Sequence, residues 1–201
     1  ELAMAHMFSC ARYISIAGHT MREDKWEKKA YGKGIELQGK TLGIVGFGRI
    51  GQHLGVMAKA IGMNVIAFDI YHIPGIEEQL GIGYVEMDEL LAKSDFISVH
   101  APAVDGGALI SAERIAKMKD GVVIINTSRG TNVDEDALLA ALESGKVRSA
   151  GLDVYAEEPA KNHALYSHPM VSCTPHIGAA TVEAQKRIGA EIVDIITNFK
   201  A

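Results

Sequence analysis

The chain has 201 residues, of which 48% are hydrophobic, and a formal net charge of −5. This length and apolar content predict one α/β domain with a sizeable core. The Lys and Arg residues are scattered instead of forming a basic stripe, and no apolar run reaches the roughly 18 residues of a membrane span, so neither nucleic acid nor membrane is an expected partner.

Cysteine usage bears on the compartment. Cys10 and Cys173 are far apart, lie among apolar neighbours and match no metal-ligand spacing. This pattern predicts two buried thiols in a reducing compartment, and therefore a cytoplasmic protein.

The first 40 residues differ in pattern from the rest of the chain. Residues 2–17 are apolar on almost every side, as in a helix that needs a cover, and the polar segment 22–29 follows. We predict that residues 1–40 form an interdomain or dimerisation helix and loop, with an apolar face whose cover lies outside this chain. The expected assembly is a homodimer or a higher homo-oligomer.

From residue 41 onward, apolar runs alternate with amphipathic stretches. The runs TLGIVGF, NVIAFD, DFISVH, GVVIIN, SAGLDV and MVSCTP each end at a polar or Gly-rich turn. This alternation is typical of βαβ units in a parallel sheet that helices cover on both faces. It predicts an α/β fold with a doubly wound, Rossmann-type core over residues 41–201, with helices at Arg49–Ile61, Met87–Lys93, Ser111–Lys119, Asp134–Ser144 and Ala179–Phe199.

The motif GFGRIG follows the first apolar run of the core and opens its first predicted helix. In this context Gly46 permits a tight turn, Gly48 leaves room for a pyrophosphate, and Gly51 lets the helix approach the strand. The next run ends in Asp69, whose carboxylate can accept hydrogen bonds from ribose hydroxyls and repels a 2′-phosphate. We therefore expect NAD as the cofactor in preference to NADP.

Three later strand ends each carry one charged or titratable residue. Arg129 follows GVVIIN, Glu158 follows SAGLDV, and His176 follows MVSCTP. Since ligands bind beyond the carboxyl ends of parallel strands, these side chains are expected to share one edge with the glycine motif. Hydride transfer from an alcohol needs a base, a group that orients it and a cation for an acidic substrate, and His176, Glu158 and Arg129 fit these roles. Taken singly, His176 also fits a structural hydrogen bond, Glu158 a solvated acidic corner and Arg129 a salt bridge.

Several motifs together resemble the NAD-binding domain of the D-isomer-specific 2-hydroxyacid dehydrogenases: GFGRIG, FD, SVHAP, NTSRG, GLDVYAEEP and TPHIGAAT. The resemblance covers nearly the whole chain and implies that Arg129, Glu158 and His176 are catalytic. It also implies cofactor contacts from Gly46, Gly48, Arg49, Ile50, Gly51, Asp69, His100, Ala101, Pro102, Thr127, Ser128, Arg129, Asp153, His176, Gly178 and Ala179. No metal ion is expected.

The resemblance implies an NAD-dependent oxidoreductase that acts on a small D-2-hydroxy acid or 2-oxo acid. The tail GAATVEAQKRIGAEI is most similar to the phosphoglycerate dehydrogenase branch, which favours conversion of 3-phosphoglycerate to 3-phosphohydroxypyruvate, the first step of serine biosynthesis. A hydroxypyruvate, glyoxylate or D-lactate reductase is an alternative with the same chemistry. A corepressor-like scaffold that senses NAD is a second alternative. The substrate domain of the family is expected to be absent from this chain.

Overall fold

The computed structural model describes residues 1–199 and contains a seven-stranded sheet. Its strands are β1 (Thr41–Val45), β2 (Asn64–Phe68), β3 (Gly83–Tyr84), β4 (Phe96–Val99), β5 (Val122–Asn126), β6 (Val147–Leu152) and β7 (Val171–Cys173). Their order is β3-β2-β1-β4-β5-β6-β7, and every neighbouring pair is parallel. The predicted doubly wound sheet is confirmed. Its strand order reverses between β1 and β4, the position at which such sheets bind ligands.

Helices connect the strands and extend both ends of the chain. They are α1 (Leu2–Arg12), α2 (Ile14–Arg22), α3 (Arg49–Ala60), α4 (Ile76–Leu80), α5 (Met87–Lys93), α6 (Ala112–Lys117), α7 (Glu135–Glu143), α8 (His163–Tyr166) and α9 (Val182–Asn198). α5 has the predicted bounds, and α3, α6, α7 and α9 lie slightly inside theirs. Ser111 and Asp134 are excluded from α6 and α7 because each is an N-cap, whose side chain accepts a hydrogen bond from a first-turn N–H group.

Helices on both faces of the sheet explain the continuous apolar runs of the strands. β4 and β5 are buried at every position. One cluster of buried side chains includes Leu90 of α5 and Leu138 of α7. A second cluster includes Met7 of α1 and Leu54 of α3. A strand that helices cover on both faces has no solvent-exposed side, so its sequence shows no polar alternation.

The N-terminal segment forms two helices instead of one. α1 ends at Arg12, Tyr13 adopts a left-handed conformation with φ of 59°, and α2 follows. Ala3, Met7 and Ala11 of α1 are buried, and α1 packs against β5, β6 and β7. The expectation that the apolar face of this segment lacks a cover is therefore wrong for α1, because the second half of the sheet covers it.

The two cysteines differ in exposure. Cys10 is buried in α1, whereas Cys173 is exposed, and both thiols are free. The prediction of two buried thiols is wrong for Cys173 because this residue ends β7, an edge strand with a neighbour on one side only.

The helix α9 contains no buried residue. Its exposed apolar side chains include Ile188, Ile192 and Ile195, which recur at a spacing of three or four residues along one face. α9 therefore presents an apolar stripe to solvent. Within residues 1–199, no helix is both long enough and apolar enough to cross a membrane.

Candidate active site

The glycine motif forms a tight turn between β1 and α3. Gly46 has φ of +93°, and a Cβ atom there would lie 2.5 Å from the backbone nitrogen of Ala101, so no other residue fits. Gly48 is the N-cap of α3 and makes no side-chain cap bond. A Cβ at Gly48 would point into open space. The first N–H groups of α3 thus remain available, and this open cradle fits the phosphates of a dinucleotide.

Asp69 follows β2 and contacts the glycine turn directly. Its Oδ2 accepts a hydrogen bond of 2.6 Å from the Phe47 N–H group, and its Oδ1 accepts one of 3.0 Å from the Tyr71 N–H group. Each carboxylate oxygen has a further lone pair for a ligand hydroxyl. The next residue, Ile70, is 95% exposed and brings no positive charge to the site. Asp69 therefore braces the turn and keeps free acceptor positions beside it.

The loop after β4 lies beside the glycine turn. His100 Nε2 lies 2.8 Å from the hydroxyl of the buried Ser98, and burial lowers the pKa of His100 to about 4. The carbonyl of Ala101 accepts a hydrogen bond of 2.9 Å from the Asn132 side chain, and Pro102 is exposed. This loop thus places a neutral imidazole and a fixed carbonyl next to the glycine turn.

The segment after β5 presents Arg129 to solvent. The Asn126 side chain fixes this segment, because Nδ2 donates to the Arg129 carbonyl at 2.9 Å and Oδ1 accepts from both the N–H and the hydroxyl of Ser128. A Cβ at Gly130 would lie 1.8 Å from the Tyr155 carbonyl oxygen, so the segments after β5 and β6 are in direct backbone contact. Asn126 and Asn132 were not predicted as site residues. The asparagine of the NTSRG motif was the available signal.

Glu158 and His176 meet across the ends of β6 and β7. The Glu158 Oε2 atom lies 2.7 Å from His176 Nδ1. The hydrogen bond from His176 holds the pKa of Glu158 below its usual range, with smaller contributions from the Tyr155 N–H group and the Arg129 guanidinium. Since an ionised carboxylate only accepts, His176 donates through Nδ1, and the neutral ring carries its lone pair on Nε2. The arrangement orients the His176 ring and leaves Nε2 as its available proton acceptor.

The backbone at His176 is in the left-handed region, with φ of 55°. Such a conformation is uncommon for a residue other than glycine and persists where the surroundings hold it firmly. A cavity of about 490 Å³ opens beside the pair and is lined in part by Tyr155, Tyr166 and Cys173.

Asp153 is a buried carboxylate, only 1% exposed, just beyond the end of β6. It accepts hydrogen bonds from the Thr174 hydroxyl at 2.6 Å and from the N–H groups of Ile177 and Gly178 at 2.8 and 2.9 Å. Asp153 therefore holds the segment on which His176 lies.

The remaining predicted cofactor residues lie in the segments after β5 and β7. Thr127 precedes the buried Ser128 at the end of β5, and Ala179 follows Gly178 in an exposed turn.

All the predicted site residues lie at the carboxyl ends of β1, β2, β4, β5, β6 and β7, along a single edge of the sheet. Within residues 1–199, no group of His, Cys, Asp and Glu side chains has the arrangement of a metal site. The switch point, the open glycine turn and the acceptors of Asp69 define a dinucleotide-binding domain with the His176–Glu158 pair on the same edge.

The chain belongs to the D-isomer specific 2-hydroxyacid dehydrogenase family, whose NAD binding domain it matches over residues 4–178. The dinucleotide of this domain is therefore NAD. A hydroxypyruvate reductase of Thermotoga maritima is 50% identical over 201 residues, covering 98% of this chain and 64% of the relative. A D-3-phosphoglycerate dehydrogenase of Mycobacterium tuberculosis is 44% identical over 197 residues, covering 98% of this chain and 37% of the relative.

Solved structures give the same assignment. A glyoxylate reductase from Paecilomyes thermophila has a TM-score of 0.91 and 40% identity, covering 98% of this chain and 60% of that one. A D-lactate dehydrogenase from Aquifex aeolicus, complexed with NAD and lactic acid, has a TM-score of 0.87 and 31% identity, covering 98% and 65%. The chain thus spans less than two thirds of the length of each of these proteins.

Proposed function

We propose that the protein containing this chain transfers a hydride between NAD and a small D-2-hydroxy acid. The observation that carries the proposal is the pair formed by His176 and Glu158, 2.7 Å apart, on the sheet edge that also holds Arg129 and the glycine turn. An oriented imidazole, a carboxylate that stabilises its protonated form and a guanidinium are the groups that oxidation of an anionic alcohol needs.

In the proposed reaction, His176 Nε2 takes the proton of the substrate hydroxyl. Glu158 holds the ring by its Nδ1–H group and stabilises the imidazolium that forms. Arg129 binds the substrate carboxylate through its planar guanidinium, which can form two parallel hydrogen bonds. NAD, when bound, accepts the hydride from the carbon that carries the hydroxyl. In the reverse direction His176 returns the proton to the carbonyl oxygen.

We propose D-3-phosphoglycerate as the substrate, which would place the reaction at the first step of serine biosynthesis. Its support is the phosphoglycerate dehydrogenase-like tail from Gly178 onward and the 44% identity to relatives of that name. Hydroxypyruvate is the second candidate. The 50% identity to a hydroxypyruvate reductase favours it. The two pairs of alcohol and ketone, 3-phosphoglycerate with 3-phosphohydroxypyruvate and glycerate with hydroxypyruvate, differ in a phosphate group, whereas Arg129, Glu158 and His176 would serve both reactions in the same way.

The proposal is tested by assaying the full-length protein with both pairs of reactants. We expect NADH formation from NAD and D-3-phosphoglycerate, with a higher kcat/KM than for NADH formation from D-glycerate, glycolate or D-lactate, the reduced forms of hydroxypyruvate, glyoxylate and pyruvate. L-lactate serves as the stereochemical control, because it is the enantiomer of D-lactate, and should give no turnover. A higher kcat/KM for D-glycerate than for D-3-phosphoglycerate would replace the first candidate by the second, and turnover of none of these acids would contradict the function itself.

We also propose that the protein is cytoplasmic and forms a homodimer or a higher homo-oligomer. The free thiols of Cys10 and Cys173 support a reducing compartment. Support for self-association comes from the segment after α1, where Ile14, Met21 and Trp26 are 56%, 53% and 78% exposed. Large apolar side chains exposed within one short segment are typical of an interface between subunits.

A further inference from the structure

His6 is a polar residue on the buried face of α1. Its side chain lies against β6 and is only 3% exposed. A Cβ at Gly151 of β6 would lie 2.6 Å from the Cβ of His6 and 3.0 Å from its Cγ. The absence of a side chain at Gly151 therefore makes room for His6 on the sheet. A histidine in such a place must satisfy both of its ring nitrogens.

Both nitrogens of His6 have partners on the strand that leads to the active site. Nε2 lies 3.0 Å from the hydroxyl of Thr174, and Nδ1 lies 3.0 Å from the hydroxyl of Ser172. The Thr174 hydroxyl donates its own proton to Asp153. Thr174 must then accept from His6, so His6 carries its proton on Nε2 and accepts from Ser172 through Nδ1. Burial lowers the pKa of His6, against the opposing effect of Asp153, which favours this neutral form.

The chain of hydrogen bonds continues into the segment that carries His176. Asp153 receives the Thr174 hydroxyl and, on the same carboxylate, the N–H groups of Ile177 and Gly178. These two residues directly follow His176, whose φ of 55° needs firm support. His6 thus lies at the far end of a continuous network that fixes the backbone on both sides of the proposed base.

We propose that His6 is a positioning residue that fixes the segment from Thr174 to Gly178, and with it the imidazole of His176, through Thr174 and Asp153. Helix α1 then has a second role besides filling the core, because its His6 supports the proposed catalytic edge of the sheet. The inference rests on the proposed function, since it assigns His6 an effect on turnover. Its structural half, the fixing of the segment, is measurable separately.

The test compares two substitutions of His6 in the full-length protein. His6→Leu fills the space without hydrogen bonds, whereas His6→Gln restores an N–H donor at the position of Nε2. Met7→Ala is the matched control, since Met7 is a fully buried neighbour on α1 that makes none of these bonds. Hydrogen–deuterium exchange of the peptide containing Ile177 and Gly178, kcat and KM for D-3-phosphoglycerate, and melting temperature are measured for each variant.

We expect His6→Leu to speed exchange at Ile177 and Gly178 and to lower kcat by about ten- to a hundredfold, with little change in KM, because small displacements of a catalytic group have effects of this size. His6→Gln should restore most of the slow exchange at Ile177 and Gly178 and most of kcat. Met7→Ala should lower the melting temperature with normal exchange and kcat.

Unchanged exchange in His6→Leu overturns the proposal, and so does a loss of kcat that His6→Gln does not recover. A loss of kcat in Met7→Ala equal to that in His6→Leu also overturns it, because packing of α1 alone would then explain the effect. Should the unaltered protein oxidise none of the acids tested, the proposed function fails, and the exchange data still decide whether His6 fixes the segment.

Discussion

The loops after β1 and β2 and the loops after β5, β6 and β7 offer their ligands different kinds of groups. The first set, which we call the cofactor half, presents the backbone of the glycine turn and the carboxylate of Asp69, which two N–H groups fix in place. The second set, which we call the catalytic half after the roles proposed above, presents the long side chains of Arg129, Glu158 and His176. The side chains of Glu158 and His176 are 40% and 54% exposed.

This difference has a physical reason. A pyrophosphate needs fixed dipoles, which a helix N-terminus provides as soon as the backbone folds. Proton transfer needs a titratable side chain in the right position, and its electrostatic partners act strongly only where water is excluded. The cofactor half therefore depends on the local backbone, whereas the catalytic half depends on supporting residues such as Asp153 and Asn126. Substitutions in each half should therefore have separate effects, of which loss of His176 is expected to be the largest and loss of the Glu158 charge the smallest.

Replacement of His176 should affect the catalytic half alone. Asparagine is the suitable substitute, since it tolerates the left-handed backbone found at this position. We expect His176→Asn to lower kcat by roughly a hundred- to ten-thousandfold, the usual contribution of general acid–base catalysis. NAD affinity, measured by calorimetric titration, should stay close to that of the unaltered protein. A large loss of NAD affinity would show that the two halves are not separable.

Replacement of Asp69 should affect the cofactor half. Hydrogen bonds to a charged group contribute roughly 1.5–3 kcal/mol, so Asp69→Ala should weaken NAD binding by about ten- to a hundredfold. Asp69→Asn is the control, because it keeps an acceptor oxygen and removes the charge. It should bind NADP better than the unaltered protein does, as the 2′-phosphate is no longer repelled. Equal affinity of the unaltered protein for NAD and NADP would contradict this role, and titrations with both dinucleotides decide it.

The smallest effect is expected for Glu158→Gln and concerns pH. The hydrogen bond from His176 lowers the pKa of Glu158, so the carboxylate is ionised near neutral pH and stabilises the imidazolium. Without that charge the neutral imidazole persists to lower pH. Alcohol oxidation should then begin at lower pH, and the change should be small because the pair is exposed and screened. Rate profiles against pH measure the shift, and a profile that does not move assigns Glu158 a structural role only.

The order of sheet and helices could be predicted from the sequence because its signals are local. Apolar runs, the glycine motif and the N-caps Ser111 and Asp134 each act within a few residues. The partners of the terminal helices could not be predicted. α1 and α9 both carry apolar faces, yet the sheet covers α1 and leaves the stripe of α9 exposed. Amphipathicity shows that a helix needs a cover but carries no information about which surface provides it.

For the candidate site, the residues at the strand ends could be predicted from the sequence, but the residues that support them could not. Arg129, Glu158 and His176 stand at strand ends, and the topology of a parallel sheet brings strand ends together. The support behind them depends on contacts between distant parts of the chain, such as His6 with Thr174. In the sequence His6 is a polar residue within a mainly apolar helix. Its partner Thr174 is 168 positions away, and nothing near His6 in the sequence indicates it.

The contact between Gly130 and the Tyr155 carbonyl has a consequence for directed evolution. A Cβ at Gly130 would lie 1.8 Å from that oxygen, so any other amino acid forces the segments after β5 and β6 apart. Arg129 and Glu158 belong to those two segments, and a library that varies position 130 would mainly yield inactive clones. The loop before Gly106 makes no such backbone contact, and residues 103–105 are exposed, whereas Gly106 and Gly107 have φ of +91° and +115° and should stay glycine. Randomisation aimed at new properties belongs at residues 103–105.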